Sequence, residues 1–175
     1  MKRIFTAIRT SAYAICFASV WIWIALVIHS YDSTLGTGLP AWMLMPAIAF
    51  LVAGGILVIA SVASFIVRGE GTPAPFDAPR RFVASGPYRH VRNPMYIGGW
   101  MALVGFGLLE RSGLMVIFSC VWILIVHLFV LAVEEPGLER RFGQTYLQYK
   151  LSVRRWIPSQ IGRSHRVRRA ERSSP

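Results

Sequence analysis

Charge is scarce in this chain. Only 15% of its 175 residues are charged, and only 8 are acidic. Soluble domains usually carry about 25% charged residues, so the composition argues against a water-soluble globule. Cysteine is nearly absent as well. Cys16 and Cys120 both lie in apolar runs, with no metal-binding spacing and no disulfide framework. They read as small buried hydrophobes. No RNA- or DNA-binding motif is present, so the formal net charge of +11 calls for a partner other than nucleic acid.

What the chain has instead is apolar length. Hydrophobic residues make up 54% of it, and its mean hydropathy is +0.49. Four segments are apolar enough to enter a bilayer: residues 12–28, 41–67, 95–109 and 114–133. The third is short for a helix crossing ~30 Å of hydrocarbon, where ~20 residues are typical. Glu110-Arg111-Ser112-Gly113 joins the last two as a tight turn. The first follows Lys2, Arg3 and Arg9, yet no small-x-small cleavage pattern closes it. It reads as an uncleaved signal anchor. The expected fold is all-α: a polytopic membrane protein of about four transmembrane helices, in one domain over residues 1–158.

Charge distribution predicts the topology. Four spans place 18 of the 19 Lys and Arg residues on one side of the membrane and leave only Arg111 on the other. The positive-inside rule then puts both termini and the loop between spans two and three in the cytoplasm, with the protein in the cytoplasmic membrane. The basic excess suits anionic lipid headgroups. Residues 159–175, rich in arginine, read as a disordered tail facing those headgroups.

Polar chemistry gathers at both feet of the last hairpin. Before span three stands Gly86-Pro87-Tyr88-Arg89-His90-Val91-Arg92-Asn93-Pro94-Met95-Tyr96-Ile97-Gly98. Pro94 suits the first helical turn, where its missing N–H leaves nothing unpaired. Asn93 then stands at the N-cap, and the positive helix end can take an anion such as a carboxylate. Plain capping with membrane-flanking Arg and Tyr explains the same residues. After span four stands Glu134-Glu135-Pro136. Acidic groups at a helix C-terminus oppose its dipole, so a cation belongs nearby. It is either Arg89, Arg92 or Arg155, or a ligand.

Beyond Pro136, the residues Leu138, Phe142, Tyr146, Tyr149 and Val153 recur at helical spacing. They predict one amphipathic interfacial helix over 137–152, lying on the membrane face as a lid or an anchor. His127, seven residues before Glu134, is an intramembrane ionisable group near the same face. A neutral histidine bonded to a neighbouring helix accounts for it as well. Gly98, Gly99, Gly105 and Gly107 permit close helix packing.

These residues resemble the integral membrane methyltransferases that include isoprenylcysteine carboxyl methyltransferases and phospholipid methyltransferases. The resemblance rests on Gly86-Pro87-Tyr88 with Arg92-Asn93-Pro94-Met95-Tyr96-Ile97-Gly98. It continues in Glu134-Glu135-Pro136-Gly137-Leu138, Phe142-Gly143, Tyr146, Tyr149 and Val153-Arg154-Arg155-Trp156-Ile157-Pro158. It implies S-adenosylmethionine as cofactor and a membrane lipid or lipid-modified acceptor as substrate. Matched residue by residue, it implicates Tyr88, Asn93, Pro94, Met95, Tyr96 and Glu134 in cofactor contact, with Phe82 and Val83 beside them. Glu135 is a candidate proton acceptor, as are His90 and water, and Arg155, or Arg154 beside it, is a candidate partner of the substrate. Two positions depart from the family pattern. Asn93 replaces the usual histidine, and Val130 replaces an arginine of the carboxyl methyltransferases, which tilts the expected acceptor toward a phospholipid-type amine. A carboxyl O-methyltransferase, a nicotinamide-dependent membrane reductase and a non-enzymatic lipid-binding protein are the alternatives. The acidic pair weighs against the reductase, because it would repel a phosphorylated dinucleotide.

Overall fold

The computed structural model describes residues 2–32, 38–69 and 82–158, the side chains of much of the first helix excepted. Within them the chain is helical, and an isolated bridge between Gly38 and Ser112 is the only β pairing among the described residues. Helix α1 spans Lys2–Ser30. A 3₁₀ turn at Ala41–Met43 leads into α2, Leu44–Ser64, which finishes in a π turn at Phe65–Gly69. A second 3₁₀ turn, Gly86–Arg89, precedes α3 at Pro94–Leu109. Helix α4 covers Gly113–Phe129 and passes through a π turn, Val130–Glu134, into α5 at Glu135–Phe142. Helix α6 is Gln144–Ser152. Residues 70–81 and the arginine-rich tail lie outside the described residues.

Two stretches are long and apolar enough to cross a membrane, Ala41–Val67 and Gly113–Phe142. Helix α3 is apolar but shorter, as its sequence implies. Large hydrophobic side chains stay exposed along α2 (Ile48, Val52, Ile56, Ile59) and α4 (Ile117, Val121, Leu124, Ile125, Leu128). Apolar belts of this extent suit a lipid environment better than water.

Helices α2 and α3 pack backbone to backbone. A Cβ on Gly54 would stand 2.7 Å from the Gly98 carbonyl oxygen, and one on Gly98 would stand 2.8 Å from that of Gly54. Gly105 closes the same seam against Leu51 and Ala47. Small residues at such crossings let van der Waals contact replace the hydrophobic effect, which is absent in lipid. Ala47, Val104 and Leu108 form one core cluster. Trp122, Val126 and Val130 form another, capped by Trp21, Trp100 and Trp156. Helix α1 joins through Trp21, whose ring meets Phe118 and Trp122 at 5.9 and 5.6 Å.

The turn at the far end of the hairpin is tightly fastened. Ser112 Oγ accepts from Met115 N–H at 3.0 Å and caps α4. Asp32, buried at the end of α1, accepts from Leu114 N–H and contacts His29. Arg111 Nε donates to the Leu39 carbonyl at 2.7 Å.

Three expectations need correction. The segment 137–152 is not one helix on a membrane face. The helix of α4 runs unbroken to Phe142, then Gly143 turns the chain at φ 52° and ψ −130°, a conformation that favours glycine. The face carrying Phe142, Tyr146, Tyr149 and Val153 turns inward, with Tyr146 and Val153 buried. His127 bonds not to a neighbouring helix but to the C-terminal segment, accepting from Trp156 Nε1–H at Nδ1, 2.9 Å away. Cys16 and Cys120 are exposed on the outer surfaces of α1 and α4, not buried.

Candidate functional site

The polar residues of the two hairpin feet meet at the start of α3. Pro94 occupies the first helical turn, and the Asn93 carbonyl accepts the first helical bond, from Ile97 N–H at 3.1 Å. The Asn93 side chain makes no capping bond. It is buried, and its Nδ2 has no hydrogen-bond partner among the described residues. A buried amide donor left unpaired is uncommon in a folded protein.

Two carboxylates face this helix start from the end of α4, and their surroundings differ. Glu135 is buried and receives Arg155 through two hydrogen bonds, Nε at 2.7 Å and Nη2 at 3.0 Å. Arg92 stands 3.3 Å away and Lys150 3.6 Å away. Lys150 also pairs with Glu139. Glu134 accepts a hydrogen bond from Tyr96 O–H at 2.8 Å, and no described cation lies within ion-pair distance of it. Of the cations that the sequence offered, Arg92 and Arg155 both go to Glu135, and Arg89 makes no ion pair with either carboxylate among the described residues. Glu135 also favours the charged form of Arg155, holding that guanidinium above its ordinary range through their hydrogen bonds.

The π turn produces this division. The Glu135 N–H bonds to the Val130 carbonyl, five residues back. The longer turn precedes Pro136, which has no N–H to continue an α-helical ladder. One extra residue per turn also breaks the face-sharing expected of His127 and Glu134. His127 serves the C-terminal segment, and Glu134 serves α3.

That C-terminal segment straps the site. Arg92 N–H donates to the Arg154 carbonyl at 2.9 Å, and Asn93 N–H to the Arg155 carbonyl at 3.3 Å. Trp156 and Arg155 add the side-chain bonds already given. From the other side, Tyr149 O–H donates to the Tyr88 carbonyl at 2.7 Å. Phe82 packs its ring on Phe142, Tyr146 and Tyr149, with centroids 4.9–5.8 Å apart. Tyr88 is itself buried against Phe65, its hydroxyl beside Ser61. Burial pushes its phenol well above the usual tyrosine range.

Of the sequence-predicted residues, Asn93, Tyr96, Glu134, Glu135 and Arg155 converge around the start of α3. Pro94 and Met95 belong to the first turn itself. Phe82, Val83 and Tyr88 lie in the wall that supports this turn, and Val83 and Tyr88 are buried. Sequence reasoning missed Lys150 and Trp156 as parts of the cluster. Neither has a spacing that announces its partner, since each meets a residue at least 15 positions away in the chain.

An open cavity of about 460 Å³ lies beside the α3 start. Leu57 of α2, Pro87, His90 and Val91 of the turn, Ile97 of α3 and Trp156 of the strap line it. No group of His, Cys, Asp or Glu suited to a metal ion occurs among the described residues.

Comparison with known proteins bears on this arrangement. Residues 42–145 match the family model described as phospholipid methyltransferase. The matched region runs from α2 to the start of α6 and contains both polar feet. An uncharacterized protein of Haemophilus influenzae is 35% identical over 63 residues, which are 36% of this chain and the whole of that protein. No solved structure matches the chain.

Proposed function

The chain belongs to the phospholipid methyltransferase family, and from that premise we propose that it methylates a membrane-embedded lipid, using S-adenosylmethionine. When bound, that cofactor supplies an electrophilic methyl group on a sulfonium. The observation that carries the reading is the unequal acidic pair. Glu135 is surrounded by three cations, whereas among the described residues Glu134 has only the Tyr96 hydroxyl. Glu134 therefore offers a carboxylate to the ammonium or a hydroxyl of the cofactor. Asn93 offers the complementary donor, its orphaned Nδ2, to an anionic group such as the cofactor carboxylate. Tyr96 fixes the Glu134 carboxylate and adds an aromatic face that suits a sulfonium. Pro94 and Met95 shape the turn, while Phe82, Val83 and Tyr88 support it.

Glu135 and Arg155 fit a positioning role better than proton transfer. A carboxylate shared by Arg155, Arg92 and Lys150 is a poor proton acceptor, because each cation favours its charged form. An amine acceptor loses a proton on methylation, and His90, which lines the neighbouring cavity, has no such clamp among the described residues. Val130, buried in the core, presents no cation to a substrate carboxylate. This favours an amine headgroup over a carboxyl acceptor. The remaining contributions are orientation of the reactants and exclusion of water. The membrane arrangement proposed with it has four spans, both termini in the cytoplasm, a single domain over residues 1–158 and a basic tail at the lipid surface.

Calorimetry on detergent-solubilised protein tests the assignment. Glu134→Ala is expected to weaken S-adenosylmethionine binding at least tenfold while the protein still inserts into membranes. Unchanged affinity would overturn the cofactor site. Lipid mass spectrometry of cells expressing the protein then reads the acceptor as a species 14 Da heavier.

A further inference from the structure

The strap crosses the site without regular secondary structure of its own, so its register depends on how it is fastened. Two fastenings are backbone bonds to the residues just before α3. The Arg154 carbonyl accepts from Arg92 N–H, and the Arg155 carbonyl accepts from Asn93 N–H. A third is the Arg155–Glu135 pair. The last, from Trp156 Nε1–H to His127 Nδ1, differs in kind, because it reaches into the bundle. His127 stands seven residues before Glu134, about 10 Å further along the helix axis. Trp156 packs there against Trp122, Val126 and Val130, the same cluster that receives Tyr96 from α3. Tyr96 is the residue whose hydroxyl holds Glu134. An indole N–H donates and cannot accept, so the bond requires His127 Nδ1 to be unprotonated, with the ring proton on Nε2. A polar side chain inside an apolar span is costly unless paired, and here the pairing serves the strap rather than another span.

We propose that His127 is a positioning residue for the site of Asn93, Tyr96 and Glu134: its bond to Trp156 fixes the register of the strap, and the strap holds the residues before α3 in place. Without this anchor, the Arg154 and Arg155 carbonyls lose their fixed height against Arg92 and Asn93. Asn93 Nδ2 and the Glu134 carboxylate then no longer face a ligand at a constant separation. In this role His127 acts only through Trp156 and touches no reacting atom. A displacement of about 1 Å is enough to cost a binding group much of its effect. The consequence for the cofactor rests on the methyltransferase reading, whereas the fixing of the strap does not.

Two measurements on the full-length protein in nanodiscs test this. Hydrogen–deuterium exchange, without any ligand, reads the strap, and calorimetry with S-adenosylmethionine reads the site. His127→Leu fills the position but accepts no hydrogen bond. It is expected to speed exchange of the peptides carrying Arg92 and Asn93 about fivefold, the equilibrium worth of one hydrogen bond. It is also expected to weaken S-adenosylmethionine binding about threefold or more, with the Gly54–Gly98 seam protected as in the unmodified protein. His127→Asn offers a carbonyl oxygen close to where Nδ1 stood, and is expected to restore both readings. Trp156→Phe keeps a ring and loses the donor. It is expected to match His127→Leu, and the double variant to be no worse than either single one. Trp42→Phe, at an exposed indole, is expected to change nothing. Unaltered exchange in folded His127→Leu, no restoration by His127→Asn, or single effects that add would each overturn the proposal. Faster exchange with unchanged cofactor affinity would overturn the positioning role as well. If His127→Leu fails to fold, Trp156→Phe decides by the same two readings. Faster exchange in both variants of a protein that binds no S-adenosylmethionine even unmodified would support the anchor and overturn the methyltransferase reading alone.

Discussion

At the residue scale, the division of labour between two adjacent carboxylates governs stability and binding separately. Removing Glu135 leaves Arg92, whose side chain is 9% exposed, without its counter-charge. Breaking a buried pair by deleting one partner usually costs about 3–5 kcal/mol. Glu135→Ala is therefore expected to lower the thermal unfolding temperature markedly, whereas Glu134→Ala, which removes a carboxylate with no cation partner among the described residues, leaves it within a few degrees. Differential scanning fluorimetry of both variants checks the contrast. Arg155→Lys is expected to fall between them, since an ammonium cannot reproduce the two-pronged bond. The tyrosines make a pH prediction. Burial pushes the Tyr146 phenol up to about 12 from an unperturbed value of 10.0. A folded-state value above the unfolded one gives stability that is complete below pH 10 and is lost as pH climbs through the folded value. Tyr88 and Tyr149 shift in the same direction, again mainly through burial. Stability is expected to be flat from pH 7 to 9 on their account and to fall above pH 10. Tyr146→Phe should soften that fall, as followed by tyrosinate absorbance and melting temperature together.

At the scale of elements, the seams and breaks of helices decide what can be changed. Gly54 and Gly98 face each other across a contact with no room for a Cβ, whereas a Cβ on Gly55 would meet nothing within 4 Å. Gly98→Ala and Gly54→Ala are expected to lower stability. Gly55→Ala should be neutral or stabilising by up to ~1 kcal/mol, the gain in helix propensity. Melting curves of the three variants read this directly. The same elements show what sequence can and cannot convey. Apolar runs and Pro94 placed α2, α3 and the core of α4 within a few residues, because burial in lipid and the proline ring act locally. The continuity of α4 into α5 was not legible. Glu134-Glu135-Pro136 looks like a stop signal, and only a π turn reconciles proline with an unbroken helix. The break at Gly143 was equally silent, since the periodicity of Phe142, Tyr146 and Tyr149 runs across it. The site itself was legible as two polar feet. The rationing of cations to Glu135 was not, because it depends on how Arg92, Lys150 and Arg155 reach one carboxylate from three segments of the chain.

At the scale of the whole molecule, the charge pattern and the packing make one topological prediction. The Tyr96–Glu134 bond and the 92–155 backbone pairing put the start of α3, the end of α4 and the strap at one end of the bundle. Asp32, Ser112 and Arg111 gather at the other end. Only Arg111 among the 19 basic residues belongs to that second end if four helices cross the bilayer. A cofactor of cytoplasmic origin requires the first end to face inward, and the positive-inside rule requires the same. Cysteine labelling separates this from the inverted or the two-span arrangement. Cys16 and Cys120 sit on outward faces of apolar helices, so lipid shields them from a membrane-impermeant maleimide, and replacing both with alanine gives a clean background. In that background Arg111→Cys is expected to react on intact cells. Ser152→Cys, exposed at the end of α6, is expected to react only after the membrane is opened. Labelling of Ser152→Cys on intact cells with Arg111→Cys protected would invert the molecule and remove the proposed cytoplasmic cofactor site. Labelling of both positions from the same side would eliminate the α3–α4 hairpin as a membrane crossing.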